Sequence, residues 1–274
     1  MTRALLFITL LGVGLVLEKI RPLRKATQSK RDRWIRNLFI AAFSALLIRF
    51  TAAPWVLSLS EWTADQRRGL LPFLEGQFGW LTPGFALVLS FFLQDYVIYV
   101  WHVANHRNTF LWRFHNVHHV DLDMDVSTAT RFHFGELFLS AVLQCAVVAL
   151  LGISPKNFLI YQATLVTATQ FHHSNLRLPD FMERVLRLMI ITPKMHEVHH
   201  AAVLSETDSN WGTVFSFWDR LHHTFHEDVS SPDVRIGVPA YRDPAELTLP
   251  RLLAMPLKTP RPWPVEKSIS EKAQ

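Results

Sequence analysis

The stretch 81–106, LTPGFALVLSFFLQDYVIYVWHVANH, decides the fold. From Leu81 to Trp101 it carries one charge, Asp95, and it comes close to the ~20 mostly apolar residues that a membrane-crossing helix needs. It runs directly into His102 and His106. On a helix, Asp95, Tyr99, His102 and His106 fall at i, i+4, i+7 and i+11, a single stripe. An ionisable group in such a helix is costly and calls for an interior partner. Asp95 is therefore expected to orient an imidazole through its free ring N–H. The fold class this implies is all-α: an integral membrane helical bundle with a cytoplasmic, histidine-rich di-metal cap.

Working outward, Ala4–Leu17 and Asn37–Ser60 are further apolar blocks, the second broken only by Arg49. Together with 49% hydrophobic residues, they argue against buried helices of a soluble bundle, which would show a polar face. The first block lacks a small-residue cleavage site and runs into Glu18-Lys19, so it reads as a retained helix rather than a signal peptide. Leu137–Gly152 and Phe158–Phe171 are shorter, each about 20–24 Å of helix, and suggest a hairpin that dips into the bilayer and returns. Eight basic residues between Lys19 and Arg36 face only two acids, Glu18 and Asp32. The positive-inside rule places that connection in the cytoplasm and the N-terminus outside, which delivers His102 and the residues beyond it to the cytoplasmic face. The expected localisation is a bacterial inner membrane or the endoplasmic reticulum. Flanking membrane helices exclude a nucleic-acid surface, and one cysteine, Cys145, excludes disulfides and cysteine metal sites.

Three regions are expected: a transmembrane anchor over 1–101, a catalytic region over 102–226 that includes the hairpin 137–171, and a Pro-rich tail over 227–274. Eight of the fifteen prolines lie from Ser230 onward, so the tail should be extended. Asp180–Ile190 carries Phe181, Met182, Val185, Leu186 and Met189 against Arg184 and Arg187, a pattern for a helix lying in the membrane interface.

All fourteen histidines lie between His102 and His226. Imidazole is the commonest ligand for transition metals, and this number exceeds what one zinc ion needs. His115, His118 and His119 share one helical face, and His196, His199 and His200 repeat the arrangement. His102 and His106 add an i, i+4 pair. The adjacent His118-His119 and His199-His200 allow neighbouring rings to serve different ions, so a two-metal centre is expected.

These residues resemble the fatty acid hydroxylase/sterol desaturase superfamily of membrane di-iron enzymes. The shared pattern is Asp95 ahead of His102-x3-His106, then His115-x2-His118-His119, and later His196-x2-His199-His200. Met124-Asp125, Arg131-Phe132-His133 with Glu136, His173-Ser174-Asn175, Thr192-Pro193, Glu206-Thr207, Asn210 with Gly212, and Trp218-Asp219 also match. The likeness covers roughly residues 90–225. Departures are Val103 where an Arg is common, Phe134 for a Pro, Trp211 for a Tyr, and His222-His223 for a Phe-Gly.

The resemblance implies two iron ions held by His102, His106, His115, His118, His119, His173, His196, His199 and His200, with no catalytic residue separate from them; His172 competes with His173 for one place, and the match to His-Ser-Asn favours His173. Asp95, Asp125, His133, Glu136, His172 and Asn175 would support those ligands. His222, His223 and His226 have no counterpart and read as surface residues. The implied activity is hydroxylation or desaturation of a lipid (sterol, fatty acyl or related) with dioxygen. Two electrons would come from a separate cytochrome b5- or ferredoxin-like protein. Phe91, Phe92, Trp101, Trp112, Phe132 and Phe171 are candidates to line a lipid channel.

Two competitors come from other classes. His196-Glu197-Val198-His199-His200 satisfies H-E-x-x-H, the signature of a zinc metalloprotease with Glu197 as general base, here an intramembrane one. That reading leaves five upstream histidines unused. A metal carrier would be expected to place its ligands within the membrane. The acidic run Asp121–Asp125 lacks the glycine and glutamate of a calcium loop, having Val126 and Phe132 there.

Overall fold

The computed structural model describes residues 3–78, 82–226 and 234–263. Thirteen α-helices form among them: α1 Arg3–Ile20, α2 Lys30–Phe50, α3 Ala52–Asp65, α4 Leu70–Gln77, α5 Pro83–Arg107, α6 Thr109–His119, α7 Phe134–Leu151, α8 Pro155–His173, α9 Asp180–Leu186, α10 Pro193–His199, α11 Leu204–Thr207, α12 Phe217–Leu221 and α13 Leu249–Ala254. No strand forms among the described residues, only isolated bridges such as Ile190 with Phe215. The all-α membrane bundle expected from sequence is the observed fold.

Local chemistry sets the boundaries. Thr82, Ser154 and Thr192 each cap a helix whose first residue is proline, where the missing N–H costs nothing. Asn108 caps α6 by accepting from the Phe110 and Leu111 N–H groups. α7 stops at Gly152, whose φ of 70° is left-handed and whose missing Cβ leaves room for the Arg68 carbonyl and Pro72.

α5 and α7 are each long and apolar enough to cross a membrane, and α2 with the α3–α4 segment, bent by 47°, makes a third candidate span. This differs from the sequence expectation in two ways. α7 extends to 18 residues because helix begins at Phe134, ahead of the apolar block. α1, expected to span, is not among the candidates: its 18 residues include Arg3, Glu18 and Lys19. Its end is tied into the cap, where the buried Glu18 carboxylate accepts from the Val126 and Asn175 backbone N–H groups. Ala52, Val56, Ala141, Val148, Ile153 and Phe158 form the core joining α3, α7 and α8, small residues letting the helices approach. α9 exposes Phe181, Met182 and Val185, with Met189 just beyond it.

The cap is held by a buried ionic lock. Arg33 on α2 donates to both oxygens of Asp121 at 2.9 Å and to Asp125 at 2.7 Å. Asp123 accepts from the Thr27 and Gln28 N–H groups, and Arg24 donates to Glu197 at 2.9 Å. The acidic run thus answers the basic connection, which is why it does not need a cation.

The tail departs from the extended strap expected. Within residues 234–263, Val238, Tyr241, Leu247, Leu252 and Met255 join Ile40, Val117, Val120 and Leu122 in one apolar core. Pro244, Pro250 and Pro256 sit in the opening positions of short helices, so they start structure rather than prevent it. Residues 227–233 and 264–274 of that tail, and 79–81 of the third apolar block, lie outside the described residues.

Burial alone would raise the Asp121 carboxyl, but Arg33 and Arg131 beside it hold it well below the ordinary carboxylate range. Its contribution to stability is therefore full above the ordinary range and is lost progressively as pH falls from there through the lowered folded-state value. Arg33→Ala should cost about 3–5 kcal/mol by stranding two buried carboxylates and should flatten the acid side of a stability-against-pH curve. Breaking the exposed Arg261–Glu246 pair should leave that curve essentially unchanged, because solvent screens it. Denaturation of the detergent-solubilised variants over pH measures both.

Candidate metal centre

Four helices deliver imidazoles to one place. α5 ends with His102 and His106, α8 ends with His172 and His173, and α6 and α10 bring the two triplets. The ring nitrogens converge in two groups, each with its ligand atoms within 4.8 Å of one another. One group is His102, His106, His115, His119 and His199; the other is His118, His173, His196 and His200. These are the nine histidines singled out from sequence. α6 sends His115 and His119 to the first group and His118 to the second, and α10 divides likewise. The adjacent rings of His118 and His119 lie at 87°, as do those of His199 and His200.

Hydrogen bonds to the far ring nitrogen set the tautomers. His102 Nδ1 meets the Trp211 carbonyl at 2.8 Å, His173 Nδ1 the Thr169 carbonyl at 2.8 Å, and His199 Nδ1 the Ser209 carbonyl at 2.9 Å. A carbonyl only accepts, so each Nδ1 carries the proton and each Nε2 presents a lone pair. His115 Nδ1 donates to Glu136 Oε1 at 2.8 Å. The freed Nε2 atoms then point at one another: His115 to His119 at 3.1 Å, and His173 to His118 at 2.9 Å and to His196 at 3.0 Å. Buried ring nitrogens of His106, His118, His196, His199 and His200 have no hydrogen-bond partner. Burial first, and neighbouring imidazoles second, lower His118, His119, His196, His199 and His200 well below the ordinary histidine value. Neutral, buried rings with converging lone pairs fit cations and little else.

The supporting residues divide. Glu136 touches His115 as expected. Asp95 does not reach an imidazole: it accepts from Trp218 Nε1 at 2.8 Å, Tyr161 Oη at 3.1 Å and the Phe215 N–H at 3.2 Å, fastening α12 and α8 to α5. Asp125 is spent on Arg33, Trp34 and Ser127. His133 caps α7 through Nδ1, accepting from the Gly135 N–H, and its Nε2 meets the Leu253 carbonyl. Asn175 exchanges hydrogen bonds with the Arg24 backbone. His172 stands outside both groups, with Nδ1 on the Thr213 carbonyl at 3.1 Å. His222, His223 and His226 are exposed.

The loop 209–213 carries what sequence reasoning missed. Its carbonyls hold His102, His172 and His199, and Asp219 in turn accepts from the Trp211 and Gly212 N–H groups at 2.8 and 2.9 Å. Burial pushes Asp219 up to about 6 despite those bonds. Beside the imidazoles a cavity of about 290 Å³ opens between α5, α7 and α8, walled by Trp101, Phe132, Leu137, Leu165 and Val166. Of the proposed channel aromatics, Trp101 and Phe132 line it. Phe91 and Phe92 pack on Phe215 instead, and Trp112 on His106 and His119.

A membrane helical bundle whose cap gathers nine imidazoles into two groups defines the class. The sequence profile of the fatty acid hydroxylase family matches residues 87–224, half of the 274 residues, and the chain belongs to that family. It is 31% identical over 154 residues to ornithine lipid hydroxylase OlsE of Rhizobium tropici, covering 56% of this chain and 46% of that protein. It is 30% identical to the alkylglycerol monooxygenase of Caenorhabditis elegans, covering 52% of this chain and 27% of the relative. Identity to human cholesterol 25-hydroxylase is 25%, covering 49% of each. The chain therefore spans half or less of the length of these relatives. No solved structure matches it.

Glu197, the general base of the protease alternative, is fully buried and paired with Arg24. Glu197→Gln should therefore leave the metal content unchanged while lowering stability by about 1–3 kcal/mol. Elemental analysis beside a thermal melt separates the two effects, and loss of metal would place Glu197 at the ions.

Proposed function

We propose that this protein is a membrane-bound, non-haem di-iron enzyme that hydroxylates a lipid. The observation that carries the reading is the pair of imidazole groups, with orphaned ring nitrogens, at the end of an apolar cavity. His102, His106, His115, His119 and His199 would hold one ion, and His118, His173, His196 and His200 the other. An all-nitrogen, neutral donor set leaves the full positive charge on the metals and suits iron among other transition ions. The relatives named as hydroxylases and monooxygenases favour oxygen insertion over desaturation. Iron held there would supply oxidation of an unactivated C–H bond by dioxygen.

The reaction balances as R–H, dioxygen, two electrons and two protons giving R–OH and water. The protein residues position and exclude. Glu136 fixes the His115 ring, the loop 209–213 fixes three others, and Trp101, Phe132 and Leu137 keep bulk water from the chain being oxidised. Phe132 lies flat against His118, ring centroids 4.4 Å apart, so an apolar substrate chain meets an apolar surface up to the imidazoles. The electrons would come from a separate cytochrome b5- or ferredoxin-like carrier. The basic connection 19–36 would face the cytoplasm, with the imidazoles on that same side.

Protein purified anaerobically under reducing conditions should contain about two iron ions per chain, as expected for a two-metal centre. His106→Ala and His118→Ala should each lose at least one, and His222→Ala none. Turnover should fall below detection in His106→Ala, His118→Ala and His199→Ala. Comparative lipidomics of cells with and without the gene should reveal a lipid gaining one oxygen atom. Iron-free wild-type protein, or normal activity in all three variants, would reject the assignment.

A further inference from the structure

We infer that the cavity selects a lipid bearing a hydrogen-bond donor, a hydroxyl or an amide N–H, close to the carbon that is oxidised, and that Gln170 reads it. The inference rests on the lipid-oxidation reading above. Gln170 is 4% exposed and precedes His173 by three residues, so the two share a face of α8, roughly 4–5 Å apart along its axis. Its Nε2 donates to the Phe7 carbonyl at 3.4 Å. That carbonyl only accepts, so the amide nitrogen must face α1 and Oε1 must turn away from it. Oε1 is buried without a partner, and Gln170 lines the cavity.

Glu136 on α7 also lines the cavity, and its Oε2 is a second buried oxygen without a hydrogen-bond partner. Three donors nearby already have acceptors: the Trp101 indole in Ser140, the Asn105 amide in the Trp101 carbonyl, and the Thr169 hydroxyl in the Leu165 carbonyl. The end of the cavity nearest the imidazoles thus offers acceptors in an apolar chamber. A bare hydrocarbon or an ether would leave them unpaired, which is costly where water is excluded. A free alcohol or secondary amide pairs with them. Farther in, Gln162 donates to Gln144 at 3.4 Å, two turns or about 12 Å beyond Glu136. Between these polar levels there is apolar room for roughly ten chain bonds, at one third of the 3.3–3.6 Å that three backbone bonds span.

The test uses the full chain in detergent micelles, with a fluorescent fatty-acid analogue displaced by a long-chain fatty alcohol or by its methyl ether. Wild-type protein should bind the alcohol at least about tenfold more tightly, since a site built to donate to or accept from a hydroxyl rejects its blocked analogue. Gln170→Leu should bind the two probes alike, and Gln170→Glu, which still accepts, should restore the preference. Metal content equal to wild type checks that each variant has folded. Equal binding of both probes by the wild type, or a preference that survives in Gln170→Leu, would overturn the inference. A preference seen in a protein that oxidises no lipid would sink the catalytic reading and leave the recognition intact. Iron and turnover without any preference would do the reverse.

Discussion

A buried imidazole has two nitrogens to satisfy, and this fold gives most of its clustered rings only one partner from the protein. Backbone carbonyls hold Nδ1 of His102, His173 and His199, which forces the lone pair of each onto the inward Nε2. Everything around the centre serves that constraint. The rings come from four helices, so no single helix can relax to relieve the clash of lone pairs. Packing that tolerates such a cluster must be fastened from outside it.

The fastening is ionic and peptide-based. Arg33 and Arg24 reach from the first connection into the acidic run and to Glu197, tying α2 to the layer that carries α6 and α10. Asp219 grips the loop 209–213 by two N–H groups, and that loop supplies the carbonyls that orient His102, His172 and His199. Asp95 pins α12 and α8 to α5. Buried charges of this sort contribute little net stability when paired, but removing one partner is expensive. They define where the cap sits on the membrane helices.

Much of this was legible in the chain. Helical periodicity brings His115, His118 and His119 to one face and does the same for His196, His199 and His200, so with the His102–His106 pair eight of the nine converging rings follow from spacing, while only the resemblance to the family favours His173 over His172. The apolar run ending in His102 foretold the helix that carries them. The features that could not be read have a common physical character. Carbonyls at Ser209, Trp211 and Thr213 belong to any residue, so no side-chain pattern announces them. Asp95 lies on the right stripe, yet its partners come from Tyr161, Phe215 and Trp218, far along the chain. The prolines after Ser230 suggested an extended strap. Three of them, Pro244, Pro250 and Pro256, instead occupy helix starts, where proline costs little, and the intervening Leu247, Leu252 and Met255 find apolar partners on α2 and α6. α7 gained its length from Phe134–Glu136, residues too mixed in character to belong to an apolar block.

The alternation of neighbouring rings between the two groups makes α6 and α10 shared struts. Inserting or deleting one residue ahead of the adjacent pair in either triplet would rotate both of its histidines by about 100° and misdirect ring nitrogens of both groups at once. Reading frame along these two short helices is thus a common dependency of both groups, whereas α5 and the end of α8 each serve a single group.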